Sequence, residues 1–261
     1  MIDEKLAKFP LRHSKGISYR EAGRGRAVVL LHGIGASSAA WLHQLETLEA
    51  FRLIAWDAPG YGESEPLQAE KPFPKDYAAA LAQFADRLLL KDMLIVGNSL
   101  GCLMAGAYMK DHGDKVRGAL LISPAGGYGG DEKMFAQRKQ ALDELGPEGM
   151  AEKRSPSLLG SRGTPEGLAL IQWSQRRIHR EGYLQASWCL AQGRLADDAR
   201  HFRKKVLVVC GTEDRITPEP GCKAVANAYP NSEYRSLPSL GHCAQIEDPA
   251  GVNAMIASFF K

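Results

Sequence analysis

The chain has 261 residues, 44% hydrophobic and 24% charged, and its 33 Lys+Arg against 30 Asp+Glu leave a net charge of +3. That composition excludes a collagen-like or disordered chain. The small charge argues against a nucleic-acid partner, since such domains concentrate a strong basic excess. The longest apolar runs, such as 27–31 and 93–96, fall far short of the roughly 20 residues of a membrane-spanning helix, so no membrane partner is expected.

Met1-Ile2-Asp3-Glu4-Lys5 carries acids and no apolar core, which reads as no signal peptide. The five cysteines, Cys102, Cys189, Cys210, Cys222 and Cys243, are odd in number and lack C-x-x-C spacing. They suit free thiols in a reducing, cytoplasmic setting.

In chain order, short β-rich runs alternate with helical patterns. Strands are expected at 16–21, 27–31, 51–57, 93–97, 116–123, 205–211 and 233–237. Helices are expected at 37–50, 74–90, 99–111, 218–228 and 249–260. Several strands are apolar throughout, as strands buried on both faces should be. The fold class is therefore α/β, a mostly parallel sheet covered by helices on both faces. From 127 to 204 the rhythm breaks, and helical patterns at 131–145, 164–180 and 183–195 replace the strands. This stretch reads as a helical insertion carried on a core of residues 1–126 and 205–261.

The strongest local signal is Gly97-Asn98-Ser99-Leu100-Gly101, which fits a G-x-S-x-G elbow between a buried strand and a helix. A turn that sharp strains the serine backbone, and its neighbours two positions away must lack side chains. It also aims a helix N-terminus at a reacting oxygen. A nucleophilic serine needs a base, and the base an orienting acid. His242, in Gly241-His242-Cys243, follows the last expected strand, and Asp214 directly follows the strand at 205–211. Both lie where open parallel sheets place their ligands. The neighbouring Glu213 should point elsewhere, since side chains alternate along a strand end. The turn after the strand at 27–31, Leu31-His32-Gly33-Ile34-Gly35, can direct the Ile34 N–H inward beside that of Leu100 as an oxyanion hole. His32 is expected to shape that turn.

With these motifs the chain resembles the α/β-hydrolase superfamily over nearly its whole length. The matching stretches include Leu31-His32-Gly33, Asp57-Ala58-Pro59-Gly60-Tyr61-Gly62, the Ser99 elbow, Gly211-Thr212-Glu213-Asp214 and the stretch from Gly241 to Pro249. The resemblance implies the order nucleophile, acid, base for Ser99, Asp214 and His242. It also implies a helical cap at 127–204 and a hydrolase that needs no cofactor. Within the superfamily the chain is similar to enol-lactonase-like esterases, through Gly182-Tyr183-Leu184-Gln185-Ala186. It is also similar to meta-cleavage C–C hydrolases, through Asn98. Cys243 departs from the second branch, which has a tryptophan after its histidine.

The expected activity is cleavage of a small carboxylic ester or lactone through an acyl-enzyme. Hydrolysis of a C–C bond in a vinylogous 1,5-diketone is one alternative, and a non-catalytic binding protein of the same fold is another. Gly33-Ile34-Gly35-Ala36-Ser37-Ser38 with Asp57 downstream also imitates a dinucleotide fingerprint. That reading leaves the elbow unexplained and puts Ser38 where a small packing glycine is wanted. No H-E-x-x-H or paired Cys/His spacing points to a metal.

The stretch 127–204 holds 13 Lys+Arg against 10 Asp+Glu, which is the whole net charge of the chain. Arg176, Arg177 and Arg180 crowd one helix, and positions four apart share a face. They are expected to draw or clamp a substrate carboxylate. Asn98 and Trp188 are further expected substrate contacts, with Trp173 and Tyr183 as other aromatic candidates. The expected partner is thus a small molecule that carries a carboxylate, and the oligomeric state stays open.

Overall fold

A strand that is apolar at every position must be covered on both faces, and the buried runs of this chain are covered in that way. The structure, a computed structural model, describes residues 2–259. Its elements run α1 (Ile2–Ala7), β1 (Arg12–Ser14), β2 (Ile17–Ala22), β3 (Ala27–Leu31), α2 (Leu42–Thr47), β4 (Arg52–Trp56), α3 (Pro74–Arg87), β5 (Met93–Asn98), α4 (Leu100–His112) and β6 (Val116–Ile122). After these come α5 (Glu132–Arg154), α6 (Pro165–Gln175), α7 (Arg180–Gln192), α8 (Leu195–Ala199), β7 (Val206–Gly211), α9 (Glu219–Ala228), β8 (Ser232–Leu237), α10 (Ala244–Glu247) and α11 (Pro249–Ser258).

The strands form one sheet in the order β1-β2-β4-β3-β5-β6-β7-β8. β1 and β2 run antiparallel to their neighbours, and β3 to β8 are parallel. Alternation along each strand divides the core. Val29, Leu31, Ile54 and Ile95 pack with Leu81 and Phe84 of α3 and Leu103 and Tyr108 of α4. Val28, Leu30, Leu53 and Leu94 face the other way, toward Leu45 of α2 and Val252 and Ile256 of α11. From β3 the chain turns to β4 on one side and then to β5 on the other. The carboxyl ends of β3 and β5 therefore flank a topological switch point, where open α/β sheets bind ligands.

The expected strands are all present, within one or two residues at each end. Four short elements were not anticipated: β1, α1, α8 and α10. The helix expected to stop at residue 145 instead continues to Arg154, across a break at Gly146 (φ 60°, ψ 177°) that Pro147 follows. The C-terminal end of the last expected helix, residue 260, lies outside the described residues.

Helices α5 to α8 fill the interval between β6 and β7 and pack onto the sheet domain in two ways. Leu195 and Ala199 of α8 enter the α4 side of the core. Gly182, in the first turn of α7, lies backbone to backbone against Gly60, which has φ +81°, in the loop after β4. A Cβ at Gly182 would overlap the Gly60 carbonyl. Gln185 seals the same seam: its Oε1 accepts from Leu67 N–H at 3.1 Å and its Nε2 donates to Leu67 O at 2.7 Å and Ala69 O at 3.0 Å. Because both sides of the contact are backbone, Gly182→Ala should cost about 2 kcal/mol or more. Urea unfolding checks this, and an unchanged midpoint refutes the close contact.

Candidate active site

Ser99 joins β5 directly to α4 with φ 54° and ψ −116°. Few side chains tolerate that region. The flanking glycines make it possible: a Cβ at Gly97 would lie 2.9 Å from Cys102 N, and one at Gly101 would overlap the Leu31 carbonyl. The Ser99 N–H donates to Ile122 O on β6 at 3.0 Å, which ties the turn to the neighbouring strand.

Asp214 follows β7, and His242 lies in the loop between β8 and α10. His242 Nδ1 donates to Asp214 Oδ2 at 2.9 Å, and both residues are buried. The other carboxylate oxygen accepts from the N–H groups of Ile216 (2.8 Å) and Thr217 (3.0 Å). The Thr217 hydroxyl stands 2.9 Å from Asp214 Oδ2 and 3.2 Å from His242 Nδ1. Burial works against ionisation of Asp214. The hydrogen bond and charge of His242, with Thr217 N–H and Ser123, outweigh it and hold the carboxyl at about 2. Ser99 and His242 line one cavity. Among the described residues the Ser99 hydroxyl has no hydrogen-bond partner. Such contacts often tighten only when substrate is held.

The turn after β3 forms the facing wall. His32 is buried, with Nδ1 donating to Gly33 O at 2.8 Å and Nε2 accepting from Ala58 N–H at 3.0 Å. Burial pushes its pKa down, and both ring nitrogens are occupied, so it braces the Gly33-Ile34 turn. Ile34 lines the cavity. Leu100 begins α4, so its N–H has no intrahelical acceptor. Neither N–H is hydrogen-bonded among the described residues, and both are available to an oxyanion.

Asn98 lines the cavity, but its amide is committed. Nδ2 donates to Ile122 O (3.3 Å) and His242 O (3.0 Å), and Oδ1 accepts from Gln245 Nε2 at 3.4 Å. It holds the His242 loop rather than a substrate. Glu247 does related work that the sequence did not disclose. Its carboxylate accepts from Gly241 N–H (2.9 Å) and from Gly160 N–H (2.7 Å), while His242 N–H donates to Leu158 O at 2.9 Å. Burial pushes the Glu247 carboxyl up against those bonds.

Residues 26–249 match the family model described as the alpha/beta hydrolase fold. The chain belongs to that family. A 2-hydroxy-6-oxo-6-phenylhexa-2,4-dienoate hydrolase of Burkholderia cepacia is 26% identical, across 99% of this hydrolase and 98% of that protein. A thermophilic esterase from Thermogutta terrifontis superposes with a TM-score of 0.84 at 25% identity, covering 97% of this chain and 96% of its own. The enol-lactonase from Burkholderia xenovorans LB400 gives 0.86 at 21% identity, covering 96% and 99%, and shares the fold.

Several expected substrate contacts of this hydrolase lie elsewhere. Arg176 pairs with Glu148 at 2.7 Å, Arg180 with Asp143 at 2.6 Å, and Arg177 stacks on the Trp173 ring at 4.0 Å beside Asp3. All three are exposed and none lines the Ser99 cavity. Arg176 and Arg177 follow the end of α6 and Arg180 opens α7, so the three share no helix face, and each turns to an acid of α5 or α1, which corrects the expected clamp. Trp188 is also outside the cavity, packed edge-on against Phe135 with Lys71 Nζ 4.2 Å above its ring. Trp173 is outside as well, while Tyr183 does line it. Asp57 of the imagined dinucleotide fingerprint is spent on Ser38 N–H (2.6 Å) and the Ser18 hydroxyl (2.7 Å). Among the described residues no helix is long and apolar enough to cross a membrane, and no three His, Cys, Asp or Glu cluster for a metal.

The lowered pKa of Asp214 fixes a pH dependence. Its folded value of about 2 lies below the ordinary 3.8. Its contribution is therefore complete above about pH 4 and is lost as pH falls through 2. The shift corresponds to about 2 kcal/mol. The stability gap between the wild type and Asp214→Asn should narrow by that amount from pH 5 to pH 2. Urea titrations at several pH values measure it, and a gap independent of pH refutes the ionised pair.

Proposed function

We propose that the protein is a serine hydrolase of a small carboxylic ester or lactone, with Ser99 as nucleophile, His242 as base and Asp214 as orienting acid. The observation that carries this reading is Ser99 on its strained turn at the switch point, sharing a cavity with His242, whose far ring nitrogen is bonded to Asp214. Ser99 Oγ attacks the carbonyl carbon while His242 Nε2 takes its proton. Asp214 holds the Nδ1–H tautomer and stabilises the imidazolium. The N–H groups of Ile34 and Leu100 receive the oxyanion, and the positive end of α4 reinforces them. His242 then protonates the leaving alkoxide. A water activated by the same base cleaves the acyl-enzyme and frees the acid. Residues 127–204 act as the cap over this site. The proposed chemistry needs no metal or cofactor.

The similarity to an esterase supports this reading. A second reading, C–C bond hydrolysis, is favoured by the 26% identity to the dienoate hydrolase over 99% of the chain. A panel of alkyl esters, lactones and vinylogous 1,5-diketones separates the two.

A fluorophosphonate probe should add one label per chain, on Ser99. Ser99→Ala should abolish the label and lower turnover on the order of 10³-fold or more. Labelling that survives this substitution moves the nucleophile elsewhere.

The acid role is tested by a contrast between neighbours. Glu213 is tied to the Ser161 hydroxyl and N–H, away from His242. Asp214→Asn should lower kcat by about 10⁴-fold, as when a base loses its tautomer partner, with the fold retained by circular dichroism. Glu213→Gln should change kcat less than threefold. Equal effects at the two positions would defeat the assignment.

A further inference from the structure

The Ser99 cavity is lined by two arginines, Arg138 and Arg154 of α5, and by no aspartate or glutamate among the described residues. Its other walls are largely apolar, with Ile34, Met150, Leu170 and Ile178 among them. Arg138 is partly buried, and its Nε is fully buried without a hydrogen-bond partner. The groups facing its guanidinium are the hydroxyls of Tyr128 and Tyr183. Among the described residues no carboxylate lies within ion-pair distance of it. Its neighbours on the outer surface are arranged differently, since Arg176 and Arg180 each reach an acid. A guanidinium withdrawn from water among apolar groups calls for a counter-charge and for hydrogen-bond acceptors. The protein supplies two phenols and no anion.

We infer that the substrate carries a carboxylate remote from the scissile carbonyl, and that Arg138 receives it inside the cavity. The inference rests on the reading of Ser99 as nucleophile and adds the substrate class. A guanidinium offers a planar fork that matches a carboxylate in two bonds. Tyr183, which also lines the cavity, flanks that fork and can donate to the same oxygens. The apolar walls accommodate the carbon chain between the two ends. Arg138 is a specificity-determining residue, and Arg154, at the end of the same helix, adds a second positive charge to the cavity.

The test compares methyl hydrogen glutarate with methyl pentanoate, and 4-acetoxybutanoate with butyl acetate, followed by titration of released acid. The first pair puts the charge on the acyl half and the second on the alcohol half. Wild type should favour the charged member of at least one pair. In Arg138→Gln the charged-to-neutral ratio of kcat/KM should fall about 10- to 100-fold, the range of a charge-assisted hydrogen bond, mainly through KM. Arg138→Lys should restore part of it. Equal losses on charged and neutral esters, or no preference in the wild type, overturn the inference. Arg138→Met, which keeps the packing of the stem, replaces the glutamine variant if that does not fold. Fluorophosphonate labelling of Ser99 judges the hydrolase reading separately. If no ester is turned over, equilibrium dialysis with glutarate decides. Binding by the wild type that Arg138→Gln loses sustains the inference, while no binding, or equal binding, overturns it.

Discussion

Ser99 occupies a backbone conformation that its own side chain makes costly, and the centre of the molecule is arranged so that this conformation is the one available. β5 is buried along its whole length and paired on both sides, so the chain leaves it at a fixed place and angle. Gly97 and Gly101 remove the two side chains that would obstruct the turn, and the Leu31 carbonyl fills the space left at Gly101. One steric condition thus sets the serine hydroxyl, the N-terminus of α4 and the turn after β3 relative to one another. The remaining groups, His242 and Asp214, are brought in by strands farther along the same parallel sheet.

This local character explains what the sequence disclosed. Glycines at both ends of an elbow, an apolar strand before it and a helix behind it are demands of the backbone, and they are written in neighbouring residues. The positions after β7 and β8 were legible for a related reason, because a parallel sheet puts every such loop on one edge. Thr217 and Glu247 were not legible. Their meaning depends on segments that meet only in space: Thr217 with Ser123 and His242, Glu247 with Gly160 and Gly241. Short elements such as β1 and α10 carry too few residues for a periodicity to show.

The arginines mark the sharper limit. Spacing placed Arg176 and Arg180 on one face of a helical stretch, and it could not show that the stretch breaks between them, α6 ending at Gln175 and α7 starting at Arg180. The acids that answer them, Glu148 and Asp143, belong to α5, on the far side of the break at Gly146 and just before it. Arg138 stood out in no pattern, being one cation among several on an exposed-looking helix. The excess positive charge of residues 127–204 is therefore divided. Part is neutralised on the outer surface, and part faces a cavity that offers it no acid.

The hold of Leu158 and Gly160 on the His242 loop has a consequence for how such proteins can be rebuilt. The helical insertion is contiguous in sequence and looks like a part that could be exchanged for that of another hydrolase. Yet its backbone supplies the acceptor for His242 N–H, and it shares the Glu247 carboxylate with Gly241. A chimera with a foreign insertion would inherit a general base whose loop had lost one of its anchors, even with Ser99, Asp214 and His242 intact. For the general base, modularity ends at residues 158–160, and an exchanged insertion would have to bring the β8–α10 loop and α10 with it.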